Sequence, residues 1–232
     1  MSASAPLANR RLYDLAGADA ELRFSPYCWR TKLALAHKGL EVDTIPWRFT
    51  EKAEIAFSGS KLVPVLVDGD KTLADSQAIA EYLETAYPDA PSLFGGPQAQ
   101  ALTQFIRRWS DGILQAALVP VLVPDILKLI HAKDQAYFRE SREARLGTSI
   151  EALAQQRDRY LTAFQAVLAP LTFTLKDQKF LGGDTPLYAD HIVFGALQWG
   201  RKTSSTPLLE AGSPIAQWME LVLDYYGSKI QR

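Results

Sequence analysis

Ser25-Pro26-Tyr27-Cys28-Trp29-Arg30-Thr31-Lys32-Leu33-Ala34-Leu35-Ala36-His37-Lys38-Gly39 decides how this chain is read. The stretch follows a short apolar strand candidate, Leu12-Tyr13-Asp14-Leu15, and itself has the pattern of a helix. Pro26 suits the first helical turn, where no intrahelical N–H bond is lost, and Gly39 suits the left-handed position just past the end. A hydroxyl placed ahead of a helix N-terminus lies beside unpaired backbone N–H groups and the positive end of the helix dipole. That is a place to hold a thiolate. With serine rather than cysteine in the first position, the motif suggests a protein that activates a thiol belonging to another molecule.

Working outward, strand and helix signals alternate over the first ninety residues. Val42 to Pro46 is a second strand candidate and Glu51 to Phe57 a short helix. Val63-Pro64-Val65-Leu66-Val67 reads as a buried strand opening with proline, and Asp68-Gly69-Asp70 as a hairpin turn into Thr72-Leu73-Ala74. Ser76 to Ala86 has apolar residues at helical spacing. The order β-α-β-α-β-β-α is that of a small α/β domain of thioredoxin type, assigned to residues 10–88. Residues 89–97, rich in Pro and Gly, read as a linker, and residues 98–232 as an all-α domain. In that second half Gln98 to Leu118 is a helix that Pro120 and Pro124 should interrupt or kink. Thr148-Ser149-Ile150-Glu151 has the spacing of a capping box, opening one helix to about Ala169. Tyr188 to Gly200 and Ile215 to Tyr226 supply two more. The fold class is therefore α/β plus all-α.

Composition narrows the function classes. The chain has 232 residues, 47% hydrophobic and 22% charged, with a formal net charge of −1. That balance argues against a general nucleic-acid binder. A single cysteine excludes an intrachain disulfide and fits a reducing compartment. The three histidines, His37, His131 and His191, form no metal-ligand spacing, so no metal is expected. No apolar run is expected to reach the length of a membrane span. Met1 to Arg10 reads as a loose tail rather than a signal peptide, and a cytoplasmic protein is expected.

Three positions should converge in a domain of this type. Ser25 ends the first strand. Val63-Pro64 opens a central strand with a residue that has no ladder N–H, and a cis bond would turn the backbone groups of Val63 outward to pair with an extended peptide. Asp75-Ser76 begins a helix. Capping alone would explain both residues, but a helix N-terminus with a serine also grips a carboxylate, and Asp75 would then face an ammonium group. A carboxylate beside an ammonium, an extended peptide and a thiol together describe glutathione.

On these residues the chain resembles the glutathione transferase superfamily over nearly its whole length. Ser25-Pro26-Tyr27-Cys28 has the spacing of the glutaredoxin Cys-Pro-Tyr-Cys with its first cysteine replaced. Within the superfamily the chain is most similar to the β-etherase and fungal etherase-related branch. That likeness rests on Ser25 to Lys32, His37-Lys38-Gly39, Leu181-Gly182-Gly183-Asp184-Thr185-Pro186-Leu187-Tyr188-Ala189-Asp190, and Val193 to Trp199. The resemblance implies glutathione as co-substrate, an aromatic or ether-type electrophile as second substrate, and a homodimer. It departs from the common pattern at Leu187, where many relatives carry Ser or Thr three residues before the aspartate, here Asp190. Asp190 is read as a folding residue that bonds backbone N–H groups of its own loop.

Ser25 is the expected catalytic residue. Val63, Pro64, Asp75 and Ser76 are expected to bind glutathione, with Lys52 and Lys61, preferred over Arg48, for its glycine carboxylate. The electrophile should lie between the domains, near Trp47, Trp109, Tyr137 and Phe138, with Arg107 and Arg108 able to meet an acidic substrate and Trp199 counted as core. Two other readings stand beside this one: a glutathione- or aromatic-ligand-binding protein without turnover, and a thiol transferase that uses Cys28.

Overall fold

The capping of the first helix sets the frame. In the computed structural model, which describes residues 10–230, Ser25 is the N-cap of helix α1 (Pro26–His37), and its side-chain oxygen accepts from Cys28 N. Pro26 takes the first helical position, and Gly39 has a φ of 69°, a left-handed value open to glycine. Of the stretch expected to be a loose tail, residues 1–9 lie outside the described residues, whereas Arg10 is buried as the first residue of the first strand and pairs with Asp68 at 2.9 Å. α1 is buried on nearly every side. One side meets a four-stranded sheet and the other meets the helical half of the chain.

The sheet consists of β1 (Arg10–Leu15), β2 (Asp43–Trp47), β3 (Val65–Asp68) and β4 (Lys71–Ala74) in the order β2-β1-β3-β4. β1 runs parallel to β2, with Tyr13 opposite Ile45, and antiparallel to β3, with Tyr13 opposite Val65. β3 and β4 form the expected hairpin. A 3-10 helix, Lys52–Ser58, precedes β3, and helix α2 (Ser76–Ala86) follows β4. The peptide bond between Val63 and Pro64 is cis.

The remaining helices are α3 (Pro97–Trp109), α4 (Gln115–Leu129), α5 (Ala132–Leu146), α6 (Ile150–Gln155), α7 (Arg157–Val167), α8 (Ala169–Asp177), α9 (Tyr188–Thr203) and α10 (Pro214–Tyr226). A thioredoxin-like domain with a small mixed sheet is thus followed by a helical domain. Several expectations need correction. α3 does not break at the prolines but runs into a π-helical turn, Ser110–Leu114, after which α4 continues through Pro120 and Pro124. Each proline removes one N–H donor from the ladder, and burial of Leu118, Val121, Leu122 and Ile126 holds the helix together across the gaps.

The run Pro97–Leu129, 33 residues with an 18-residue window of mean hydropathy 1.6, is long and apolar enough to cross a membrane by length and composition, contrary to expectation. Its most apolar window is half buried, so the core position of α4 accounts for the hydropathy. The helix expected from Ile150 to Ala169 is two short ones, with α8 beginning at Ala169. Ser149, not Thr148, caps it by accepting from Ala152 N, which leaves Glu151 one place short of a capping box. Glu151 pairs instead with Arg139 at 2.9 Å.

The two halves share their interior. Leu93 and Phe94, in the stretch read as a linker, are fully buried together with Leu12, Leu35, Leu66 and Tyr188. α1 and α9 approach each other closely. An ideal Cβ on Gly195 would lie 2.4 Å from the Pro26 carbonyl oxygen, so only glycine allows this separation. The start of α9 is fixed by Asp190, which is fully buried. It accepts from the backbone N–H groups of Leu181 (2.8 Å), Gly182 (2.9 Å) and Leu187 (3.0 Å), and from Trp218 Nε1 (3.0 Å). The hydroxyl missing at Leu187 is thus replaced by backbone donors and an indole.

A histidine–tyrosine–histidine chain closes the same seam. His37 Nε2 lies 2.9 Å from the Ser92 carbonyl, which can only accept, so this nitrogen carries the proton. His37 Nδ1 then accepts from the Tyr226 hydroxyl (2.9 Å), and the Tyr226 oxygen accepts from His191 Nε2 (2.6 Å). His191 Nδ1 is left as a buried lone pair without a partner among the described residues. Burial lowers the pKa of both histidines, that of His191 well below its ordinary 6.5, with the nearby His37 imidazole as a further cause.

Two outcomes follow. Gly195→Ala forces α9 away from Pro26 and should lower stability by about 1–3 kcal/mol, read as a lower urea midpoint at unchanged m-value. The second concerns pH. Both histidines are neutral in the fold but take up protons when unfolded, so the unfolded state binds more protons below pH 6.5. Stability should therefore fall progressively as pH drops from 6.5. Urea midpoints that stay constant between about pH 7.5 and 5.5 would contradict the neutral assignment.

Candidate functional site

A cleft of about 590 Å³ opens beside the N-terminus of α1. Ser25, Pro26 and Tyr27 form one end. Trp47, Phe49, Leu62 and Val63 come from the sheet domain. Asp111, Gln115, Val119 and Val123 come from the π turn and α4, Phe138, Arg142 and Arg145 from α5, and Trp199 from α9.

Ser25 is 4% exposed and faces this space. Its oxygen lies 3.3 Å from Cys28 N, as acceptor, and a hydroxyl that accepts in this way still carries a proton of its own. Tyr27 packs against Arg30, whose guanidinium lies 4.7 Å from the ring centroid. Arg30 in turn reaches Asp111 Oδ1 at 2.5 Å, and Gln115 donates to the same oxygen at 2.9 Å. Burial and the Asp111 charge raise the Tyr27 pKa, so the phenol is neutral and is no base at ordinary pH.

Cys28 is fully buried, and burial together with the Asp14 carboxylate pushes its thiol pKa well up; the Ser25 hydroxyl and Lys32 act in the other direction without prevailing. A buried, protonated thiol is a packing group. The geometry therefore removes the support for a thiol transferase built on Cys28.

At the start of α2, Asp75 has a φ of 77°, the one positive φ outside glycine among the described residues. Its side chain accepts from Gln77 N (2.9 Å) and Ala78 N (3.1 Å), so the capping role is real. Strain of this kind in a non-glycine residue is often kept where a side chain has a second task. Ser76 is almost completely buried, and its hydroxyl and N–H make no hydrogen bond among the described residues; its carbonyl accepts from Tyr188.

Lys52 and Lys61 occupy one corner: Lys52 Nζ donates to the Lys61 carbonyl at 2.7 Å and lies 4.7 Å from the Trp47 ring centroid. Burial and the neighbouring Arg142 charge lower the Lys52 pKa. Arg48 donates to the carbonyls of Gly17 and Ala18 and pairs with Glu51; it is a loop-packing residue.

Of the expected glutathione-site residues, Ser25 and Val63 line the cleft together, whereas Pro64, Asp75, Ser76, Lys52 and Lys61 do not. Of the expected electrophile-site residues, Trp47 and Phe138 line it, and so does Trp199, which was counted as core. Trp109 and Tyr137 do not. Sequence reasoning missed Asp111, Gln115, Arg142 and Arg145. The arginines sit on α5, a charge-rich helix with little apolar periodicity. α5 is docked by Asp134, which is fully buried and accepts from Phe49 N (3.2 Å), Thr50 N (3.0 Å) and the Thr50 hydroxyl (2.6 Å).

Comparison with known proteins agrees with this architecture. The family model for the glutathione S-transferase C-terminal domain matches residues 101–223, and that for the N-terminal domain matches residues 24–86. The chain belongs to the glutathione S-transferase family. It is 27% identical to glutathione transferase GST 23 of Zea mays over 179 residues, 75% of this chain and 68% of that protein. In three of the curated relatives the shared stretch spans 68%, 39% and 60% of the relative's own length. The fold is similar to that of glutathione transferase GSTFuA3 from Phanerochaete chrysosporium, with a TM-score of 0.84 at 24% identity, over 94% of this chain and 98% of that one. It is equally similar to a Ceriporiopsis subvermispora glutathione S-transferase, CsGST63524, solved in complex with glutathione. There the TM-score is 0.82 at 23% identity, over 97% and 98% of the two chains.

Because Cys28 is sealed, Ellman's reagent should find no reactive thiol in the native protein and one equivalent after denaturation, the chain having a single cysteine. Rapid native labelling would show that the helix opens around it.

Proposed function

We propose that this chain is a glutathione transferase in which Ser25 holds the glutathione thiolate and directs it at an aromatic or ether-type electrophile. The observation that carries the reading is the position of Ser25: a hydroxyl at the N-cap of α1, on the wall of the cleft, with its oxygen accepting from Cys28 N.

The energetics suffice without a general base. A thiol of pKa about 8.5 brought down by about two units needs roughly 2.7 kcal/mol of preference for the anion. A hydrogen bond to a charged group contributes about 1.5–3 kcal/mol and a helix N-terminus roughly 0.3–1. Ser25 acts as donor to the sulfur anion and is not itself deprotonated.

Residues 10–88 then form the glutathione-binding domain, joined through 89–97 to the helical domain, residues 98–232. Glutathione would lie along Val63-Pro64. Its γ-glutamyl carboxylate would take the free hydroxyl and N–H of Ser76, its ammonium would face Asp75, and its glycine carboxylate would reach the corner of Lys52 and Lys61. The unpartnered groups of Ser76 and the strained Asp75 support this placement.

The electrophile would occupy the aromatic side of the cleft, against Phe49, Phe138 and Trp199. In conjugation the thiolate attacks the electrophilic carbon, the C–S bond forms, and the leaving group departs with its electron pair. In thiolytic ether cleavage, the activity suggested by the etherase-like motifs, the leaving group is a phenolate that then takes a proton from water. A homodimer fits the exposed apolar side chains of Leu102 and Phe105 on α3, 71% and 70% exposed.

Ser25→Ala should lower kcat/KM for conjugation about ten- to a hundredfold, the loss of one hydrogen bond to an anion. The pH midpoint for thiolate formation by bound glutathione, followed near 240 nm, should rise by about one to two units. Full activity in Ser25→Ala, or an unmoved midpoint, would remove serine from the mechanism.

A further inference from the structure

Arg142 stands out in the wall where it sits. It projects from the second half of α5 over two aromatic rings, its guanidinium 5.2 Å from the Phe49 centroid and 4.5 Å from that of Phe138. Its hydrogen bond is a local one, from Nη1 to Ser141 Oγ at 2.9 Å. Other inward-turned arginines of this chain each have a carboxylate: Arg10 has Asp68, Arg30 has Asp111 and Arg157 has Asp125. Arg142 has none among the described residues. The charges that act on it and on its neighbour Lys52 are largely of its own sign. Arg145 lines the same cleft, and Lys52 is itself perturbed by Arg142 and Lys61.

Asp111, the carboxylate that lines the cleft, and Asp134, the one that acts on Lys52, are committed elsewhere. Asp134 accepts from Phe49, Thr50 and the Thr50 hydroxyl, and Asp111 is held by Arg30 and Gln115 at the Tyr27 end. A half-buried guanidinium with no counter-charge is costly to keep. Here it lies at the edge of an apolar, aromatic surface that opens onto Ser25.

We infer that Arg142 binds an anionic substituent on the second substrate, so that the electrophile is an aromatic molecule bearing a carboxylate or a sulfonate. This rests on the cleft being the electrophile site. The ring lies against Phe49 and Phe138 while the planar guanidinium donates to two oxygens of the anion, a geometry a lysine reproduces only as a point charge. Arg145 adds to the field. The corner of Lys52 and Lys61 lies outside the lining of this cleft, which separates the electrophile's anion from the glycine carboxylate of glutathione.

The test uses the full chain and two fluorescent probes that differ by one group: 8-anilinonaphthalene-1-sulfonate, and N-phenyl-1-naphthylamine, which lacks the sulfonate. With saturating glutathione present, Arg142→Gln should weaken the sulfonated probe about tenfold, a difference of about 1.4 kcal/mol, and the uncharged probe by less than about threefold, since packing over the rings is largely kept. Arg142→Lys should recover part of the loss for the sulfonate alone. Glutathione affinity, measured by calorimetry, should not follow the substitution. Equal weakening of both probes would make Arg142 a packing residue, no change in either would place the anion elsewhere, and a matching loss of glutathione affinity would assign Arg142 to glutathione. Each of these outcomes overturns the inference.

The kinetic counterpart compares 4-chloro-3,5-dinitrobenzoate with 1-chloro-2,4-dinitrobenzene. In both, glutathione sulfur bonds to the ring carbon and chloride leaves with the electron pair. KM should rise selectively for the benzoate in Arg142→Gln. Absence of turnover by the unsubstituted protein would refute the transferase reading while the probe titration still decides the role of Arg142.

Discussion

The contact on which the site depends is the approach of α9 to the first turn of α1. Gly195 lets the backbone of α9 come against the Pro26 carbonyl, where any Cβ would collide. Pro26 is the residue after Ser25, so the distance between the two domains and the position of the candidate catalytic hydroxyl are set by one contact. Asp190 fixes where α9 begins, by gathering three backbone N–H groups and the Trp218 indole around one carboxylate. Burial alone raises the pKa of that carboxylate, and the hydrogen bonds oppose the shift. Both residues lie in the helical half of the chain, yet their effect is felt at the mouth of the sheet domain.

The sheet side is held in a complementary way. Asp14, fully buried beneath α1, lies 2.9 Å from Lys32 Nζ, and Lys32 lies over the Trp29 ring at 3.8 Å. α1 is therefore fixed on its sheet side by a buried ion pair and on its other side by a glycine contact. A helix held at both faces has little freedom to move its N-terminal turn, and a hydrogen-bond donor to an anion gains most when it is fixed before the anion arrives.

Much of this was legible in the sequence, for particular reasons. Ser25-Pro26 and Gly39 gave the ends of α1 because capping chemistry is local. The hairpin at Asp68-Gly69-Asp70 was legible for the same reason. Asp190 could be read as a folding residue because, by the resemblance, it stands at the opening of a core helix, where a carboxylate can bond the N–H groups of its own loop. What escaped is what depends on tertiary contacts. α5 has a charged, weakly periodic sequence and starts at His131, an uncommon cap, and it is docked through Asp134 to a loop more than eighty residues earlier. Arg142 and Arg145 could not be placed without it. Pro120 and Pro124 suggested a break in α4, but the ladder is disturbed earlier, in the π turn at Ser110–Leu114, where the sequence has no proline to announce it.

That π turn has a wider meaning for how such a cleft can change. An extra residue in a helical turn advances the phase of everything after it by about 100° without altering the direction of the axis. In this register Asp111, Gln115, Val119 and Val123, each four residues from the last, form one line along the cleft, while Leu118 and Leu122 stay in the interior. Most of what this helix gives the cleft wall is thus one column of side chains, on a helix whose other face carries the fold, while α5 and Trp199 complete the wall. Deleting one residue within the turn would swing the whole column away at once, whereas exchanging its members singly would reshape the cleft rung by rung. The selectivity of the protein can drift in this way while its architecture stands still.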